Sequence, residues 1–98
     1  MKVRFEDRGL EEAEGDASKQ AGVSKAIDKK FRDRMRLIRD AADERDFYAL
    51  KSLHFEKLKD NEGHERSMKL NDQWRLIVRL EGEAPGKTVV IVGIKDYH

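Results

Sequence analysis

The chain has 98 residues, 42% of them charged and 38% hydrophobic, with a net charge of +1. That length excludes two independent cores, so a single domain spanning 1–98 is expected, and the near-balance of charge excludes a chain-wide basic field, so any polyanion site must be local. The absence of cysteine excludes disulfides, thiolate metal sites and cysteine nucleophiles, and it fits a reducing compartment.

The chain opens Met1-Lys2-Val3-Arg4-Phe5-Glu6, alternating apolar with charged residues. This is strand patterning and lacks the apolar run of an export signal or membrane span, so a cytoplasmic protein without a membrane partner is expected. Asp7 can cap a first helix carrying Leu10, Ala13 and Ala17, although Gly9 and Gly15 weaken it. After Gly22, the residues Val23, Ile27, Phe31, Met35, Ile38 and Ala42 recur every three or four positions, which predicts a long helix reaching about Arg45. Its other face interleaves Lys25, Lys29, Arg32, Arg36 and Arg39 with Asp28, Asp33, Asp40 and Asp43. The plainer reading is a solvated face laced with ion pairs, and the functional one is contact with an RNA or an acidic partner.

Beyond Asp46 the period changes. Leu53, Phe55 and Leu58 predict a strand ending near the Lys59-Asp60-Asn61-Glu62-Gly63 turn. Met68 and Leu70 mark a second strand, with Ser67 and Lys69 on its opposite face. Asn71-Asp72 suits a two-residue hairpin turn, because both tolerate positive φ. Trp74, Leu76, Val78 and Leu80 alternate with Arg75, Ile77 and Arg79, giving a strand with one buried and one partly basic face. The loop Glu81 to Lys87 leads to Thr88 through Ile94, a strand apolar on both faces and so expected to be central with helices on one side. The order predicts an α+β fold.

Polar chemistry has three candidate locations: Lys59 at a turn, Arg75 in a strand, and the closing Asp96-Tyr97-His98. Singly, each has a plain explanation as a solvated turn residue, a cross-strand partner for a carboxylate, or a chain end. Together they supply what metal-free RNA cleavage requires. A base activates the ribose 2′-hydroxyl, cations stabilise charge developing on the phosphate, and an acid protonates the leaving 5′-oxygen. Histidine suits the proton transfers and Lys and Arg the phosphate. A terminal carboxylate on His98 favours its imidazolium form, which suits a general acid. Tyr97 can stack on a base or donate to the phosphate, or can be a core-edge residue. His54, His64 and His98 occur without HExxH or a close helical pair, so no metal and no cofactor is expected, and no P-loop, dinucleotide fingerprint or nucleophile elbow is present.

Leu58-Lys59-Asp60, then Ser67-Met68-Lys69-Leu70-Asn71-Asp72-Gln73-Trp74-Arg75-Leu76, then Lys95-Asp96-Tyr97-His98 resemble, in order and spacing, the HigB branch of the RelE/ParE toxins. The resemblance covers about the last half of the chain well, and the first half in plan only. It implies a small RelE-like fold with an antiparallel sheet packed on two N-terminal helices. It also implies metal-independent cleavage of mRNA at the ribosomal A site, and neutralisation by a HigA-like helix-turn-helix antitoxin through which alone operator DNA is reached. Carried over by position, Lys59 and Arg75 stabilise the phosphate, Tyr97 orients RNA, and His98 transfers a proton. Lys69, Gln73 and Arg79 are then expected to bind RNA.

Two departures stand out. Where the HigB pattern has a histidine three residues before the lysine this chain has Glu56, while His54 lies two residues earlier, on the same face if both are in a strand. Glu56 can itself serve as a base when desolvated. Gln73 replaces the family's Asn before Trp-Arg, with altered reach. A ParE-like gyrase inhibitor without catalysis and an inactive antitoxin-binding relative are the competing readings, the closing Tyr97-His98 speaking against the first and the displaced histidine motivating the second.

Overall fold

In the computed structural model, which describes residues 1–58, 64–83 and 86–96, β1 (Lys2–Phe5) leads into α1 (Arg8–Gly15), α2 (Lys25–Asp40) and a short α3 (Arg45–Ala49). Then follow β2 (Glu56–Lys57), β3 (Glu65–Lys69), β4 (Trp74–Glu81) and β5 (Thr88–Asp96). The strands form one five-stranded sheet in the order β1-β5-β4-β3-β2, an α+β plan. β2 to β5 pair antiparallel, as expected. β1 instead adds in parallel to β5, aligning Val3 with Val89 and Phe5 with Ile91. A parallel partner needs a long crossover, which the helices and intervening strands provide, so the sheet is mixed. β5 is interior, as its two apolar faces require, but the middle strand is β4.

Asp7 caps α1 by accepting from the Leu10 N–H at 3.1 Å. The helix stops at Gly15, leaving Ala17 exposed beyond it. Ser24 caps α2 by accepting from the Ile27 N–H at 3.2 Å. Ile27, Phe31, Met35 and Ile38 then pack with Leu10, Leu76, Val78, Val89 and Ile91 in one apolar cluster. Each such side chain contributes about 1.5–3 kcal/mol by leaving water. Phe31 is fully buried, and Phe31→Ala is expected to lower unfolding free energy by about 3–5 kcal/mol, read from urea denaturation midpoints; a loss below about 1 kcal/mol would contradict this core assignment.

α2 ends at Asp40, five residues before the expected Arg45, because Ala41 turns extended (φ −67°, ψ 140°). The reason is tertiary. The Met1 ammonium donates to the carbonyls of Ile38, Arg39 and Ala41 at 3.3, 3.0 and 2.7 Å, placing a positive charge on the helix C-terminus, where unsatisfied carbonyls and the helix dipole favour it. Ala41 is buried there and the expected Ala42 is exposed. The charged face of α2 is paired as expected at Arg39–Glu14 (2.6 Å) and Arg36–Asp33 (3.8 Å). Asp28 departs from it: the residue is 3% exposed and accepts from the Ala21 N–H at 2.8 Å, fastening the α1–α2 loop. No helix among the described residues is long and apolar enough to cross a membrane.

Two local expectations are corrected. Leu53 and Phe55 do not lie in a strand: Lys51–Leu53 form a 3-10 turn closed by His54 in the left-handed conformation (φ 48°), and β2 is only Glu56–Lys57. The turn buries Leu53, and Phe55 is wedged beside Phe47 and Tyr48 at ring-centroid distances of 5.3 and 4.9 Å. The β3–β4 hairpin is also longer than a two-residue turn, since Leu70 N–H already bonds the Trp74 carbonyl at 2.9 Å. Neither Asn71 nor Asp72 has positive φ. Asn71 instead accepts at Oδ1 from the N–H groups of Gln73 (2.8 Å) and Trp74 (2.7 Å), an Asx turn that substitutes for the backbone turn.

Candidate nucleic-acid interface

Alternation along the strands gives the sheet two unlike faces. Met68, Leu76 and Ile94 point into the helix-covered core. The opposite face is read in rows from the register. Lys69, Arg75 and Lys95 are successive cross-strand partners on β3, β4 and β5. The next row is Glu56, Ser67, Ile77 and Gly93, and beyond a register shift comes Glu65, Arg79, Val90 and Arg4.

The first row carries the candidate chemistry. Three cationic side chains in direct register span two strand spacings, about 10 Å, and like charges set opposite each other destabilise a sheet. An arrangement that costs stability and offers a band of positive charge suits a polyanion backbone. Lys69 is partly offset by Asp72, its Nζ 3.0 Å from Oδ1, and its backbone carbonyl accepts from Arg34 Nε at 2.9 Å, which ties the hairpin to α2. Arg75 is half-buried, and its Nη1 donates to the His54 carbonyl at 3.1 Å and the Ser67 hydroxyl at 3.3 Å. Those bonds brace the guanidinium against the β2 end of the sheet, and the planar fork has five N–H donors in all.

The expected site residues therefore separate. Lys69, Arg75 and Glu56 share the face turned away from the helix-covered core. Glu56 is exposed, so the desolvation a carboxylate base requires would have to come from bound RNA. His54 is not on a strand with Glu56, and the left-handed residue breaks the alternation that would have given them one face; its backbone, through Arg75, nevertheless stands at the site. Gln73 donates from Nε2 to Asp96 Oδ2 at 3.1 Å, joining the β3–β4 hairpin to the last residue of β5. Lys59, Tyr97 and His98 lie outside the described residues. Lys95 and Ser67, absent from the expected set, enter only once the register is known. A Cβ on Gly93 would meet nothing within 4 Å, which leaves room at that point beside the cationic row, whereas Ser67 and Ile77 of the same row as Gly93 are buried.

Arg79 belongs elsewhere. Four residues along β4, about 13 Å from Arg75, it bonds Glu6 and also lies 3.2 Å from Glu81, which pairs with Arg4 at 2.6 Å. The hydrogen bond from Arg79 holds the Glu6 carboxyl below the ordinary glutamate range, and bonds from Arg4 and then Arg79 do the same for Glu81. Carboxyl pKa values depressed by folding mean a stabilisation fully present above the unfolded value near 4.5 and lost as pH falls through the lower folded values. Arg79→Gln is expected to flatten the fall in thermal midpoint between pH 5 and pH 2; an unchanged acid profile would contradict this linkage. Among the described residues, no group of three or more His, Cys, Asp or Glu is placed to hold a metal.

Comparison with known proteins agrees with this architecture. The structure is similar to the YoeB/ParE toxin from Agrobacterium tumefaciens (TM-score 0.60, 14% identity, 100% of both chains covered). It is also similar to the YoeB-YefM complex from Staphylococcus aureus (TM-score 0.58, 20% identity, 100% of this chain and 97% of that one). At these identities the likeness concerns the fold. No curated protein matches. The model of the family described as the RelE-like toxin HigB of type II toxin-antitoxin systems matches residues 3–98, and with it the chain belongs to the HigB-like toxins of the RelE/ParE superfamily.

Proposed function

We propose that this toxin is a metal-independent endoribonuclease that cuts mRNA at the ribosomal A site, held in check by a HigA-like antitoxin. The observation that carries the reading is the Lys69–Arg75–Lys95 row across three strands, standing where β5 ends in Asp96, immediately before Tyr97-His98 in sequence. The phosphodiester lies along the row. A base takes the ribose 2′-hydroxyl proton, and the 2′-oxygen attacks phosphorus. Arg75 and Lys59 carry the charge that develops on the non-bridging oxygens, while His98 gives its proton to the departing 5′-oxygen. The products are a 2′,3′-cyclic phosphate and a 5′-hydroxyl. His54 and Glu56 are the candidates for the base, and Tyr97 orients the RNA. With a net charge of +1 the protein is better suited to a site pre-formed by the ribosome than to tight binding of free RNA.

Purified protein added to a cell-free translation reaction with one defined message is expected to stop synthesis and shorten that message, and to leave gyrase supercoiling unaffected. Blocked supercoiling with intact message would replace the nuclease by a gyrase inhibitor. An intact message with undisturbed translation and supercoiling would leave an inactive antitoxin-binding protein.

A further inference from the structure

We infer that the groove between α2 and α3 is the surface that receives the antitoxin, and that the segment it takes is basic with apolar side chains on one side. The inference rests on the toxin reading above. The groove, of about 430 Å³, borders α2, whose Ile27, Phe31, Met35 and Ile38 pack on the core face of the sheet, the face opposite the cationic side chains. Its apolar part is Leu37, Ala41 and Leu50, and its acidic part Asp33, Asp40 and Asp46, with Arg36 the cation along it.

Three observations give the groove an occupant. Leu50 is 44% exposed and Tyr48 51%, the large exposed hydrophobic residues among those described. Tyr48 has its ring against Phe55, whereas Leu50 lines the groove. A leucine left in water beside a further leucine and an alanine is an anchor point of the kind that central interface contacts use. Second, the groove has three carboxylates to one guanidinium, Arg36, which pairs with Asp33, and even with the Met1 ammonium on the Ala41 carbonyl counted beside it the sign stays negative, on a chain whose sum is +1. Other arginines of α2 are engaged elsewhere, Arg34 on the Lys69 carbonyl and Arg39 on Glu14. Third, that sign repels phosphate, so the groove is no continuation of the RNA surface, and it selects a partner segment carrying Lys or Arg around apolar anchors. The two faces of the toxin therefore discriminate by charge, one for a polyanion and one for a basic protein segment.

The test uses the full chain and two variants whose changes lie at exposed or half-buried positions, Leu50→Lys and the double Asp33→Lys/Asp40→Lys, with thermal melting to verify folding. Cognate antitoxin is co-expressed, and as a charge-sense probe a synthetic Leu/Lys amphipathic peptide is titrated beside its Leu/Glu counterpart. Both variants are expected to arrest growth as the wild type does, to escape rescue, and to bind antitoxin at least tenfold more weakly. Wild type should prefer the Leu/Lys peptide and release it as salt rises. Undiminished rescue and binding in both variants would overturn the inference, as would preference for the Leu/Glu peptide or variants that lose ribosome binding while keeping the antitoxin. If the wild type proves harmless yet binds antitoxin through the groove, the nuclease reading fails and this one stands.

Discussion

Replacing Arg75 by alanine is expected to lower message cleavage by about 10²–10³-fold, the usual cost of deleting one preorganised donor to a developing oxyanion. Its position makes the loss specific. Arg75 stands between Lys69 and Lys95, and its bonds to the His54 carbonyl and the Ser67 hydroxyl hold the guanidinium in place in the free protein. Ser67 is 1% exposed, so the alanine variant also leaves its hydroxyl short of a donor. That costs about 1 kcal/mol of stability, too little to unfold the domain. Arg75→Lys keeps the charge and loses the fork, and is expected to fall between the two, because a point charge cannot span the same acceptors. Single-turnover cleavage on programmed ribosomes, with urea melts of the same preparations, separates the effects. Full activity in the alanine variant would remove Arg75 from the chemistry.

Deleting His98 is expected to cost about 10²–10⁴-fold, the range for a positioned general acid. The loss should show in the chemical step with ribosome binding retained, since the cationic row is untouched. A substrate with a 5′-sulfur leaving group, which needs no proton, should recover most of the rate in the deleted variant. Failure of that substrate to rescue would assign His98 to binding and leave the acid unidentified.

How far the fold could be read from residue order depended on whether local pattern or a distant partner decided each element. The apolar period of α2 and the two-residue alternation of β4 were legible because burial alone sets them, and so Phe31, Met35, Leu76 and Val78 are in the core. The end of α2 was not, because the charge that caps it comes from Met1, some forty residues away in sequence. Around Leu53 and Phe55, alternation imitated a strand, while a 3-10 turn and the left-handed His54 bury both side chains without one. For the site, Arg75 and Lys69 were legible as members of a basic face. Their alignment with Lys95 was not, since register across β3, β4 and β5 is a tertiary fact. Arg79 looked equivalent to Arg75 by alternation and differs because Glu6 and Glu81 claim it.

Primer extension on a defined message, incubated with purified protein with and without ribosomes and beside the Arg75→Ala and His98-deleted variants, tests the central claim most directly. Cuts that appear only with ribosomes and disappear in both variants are the result this account predicts. Intact message in every lane, or equal cutting of ribosome-free RNA, would contradict it.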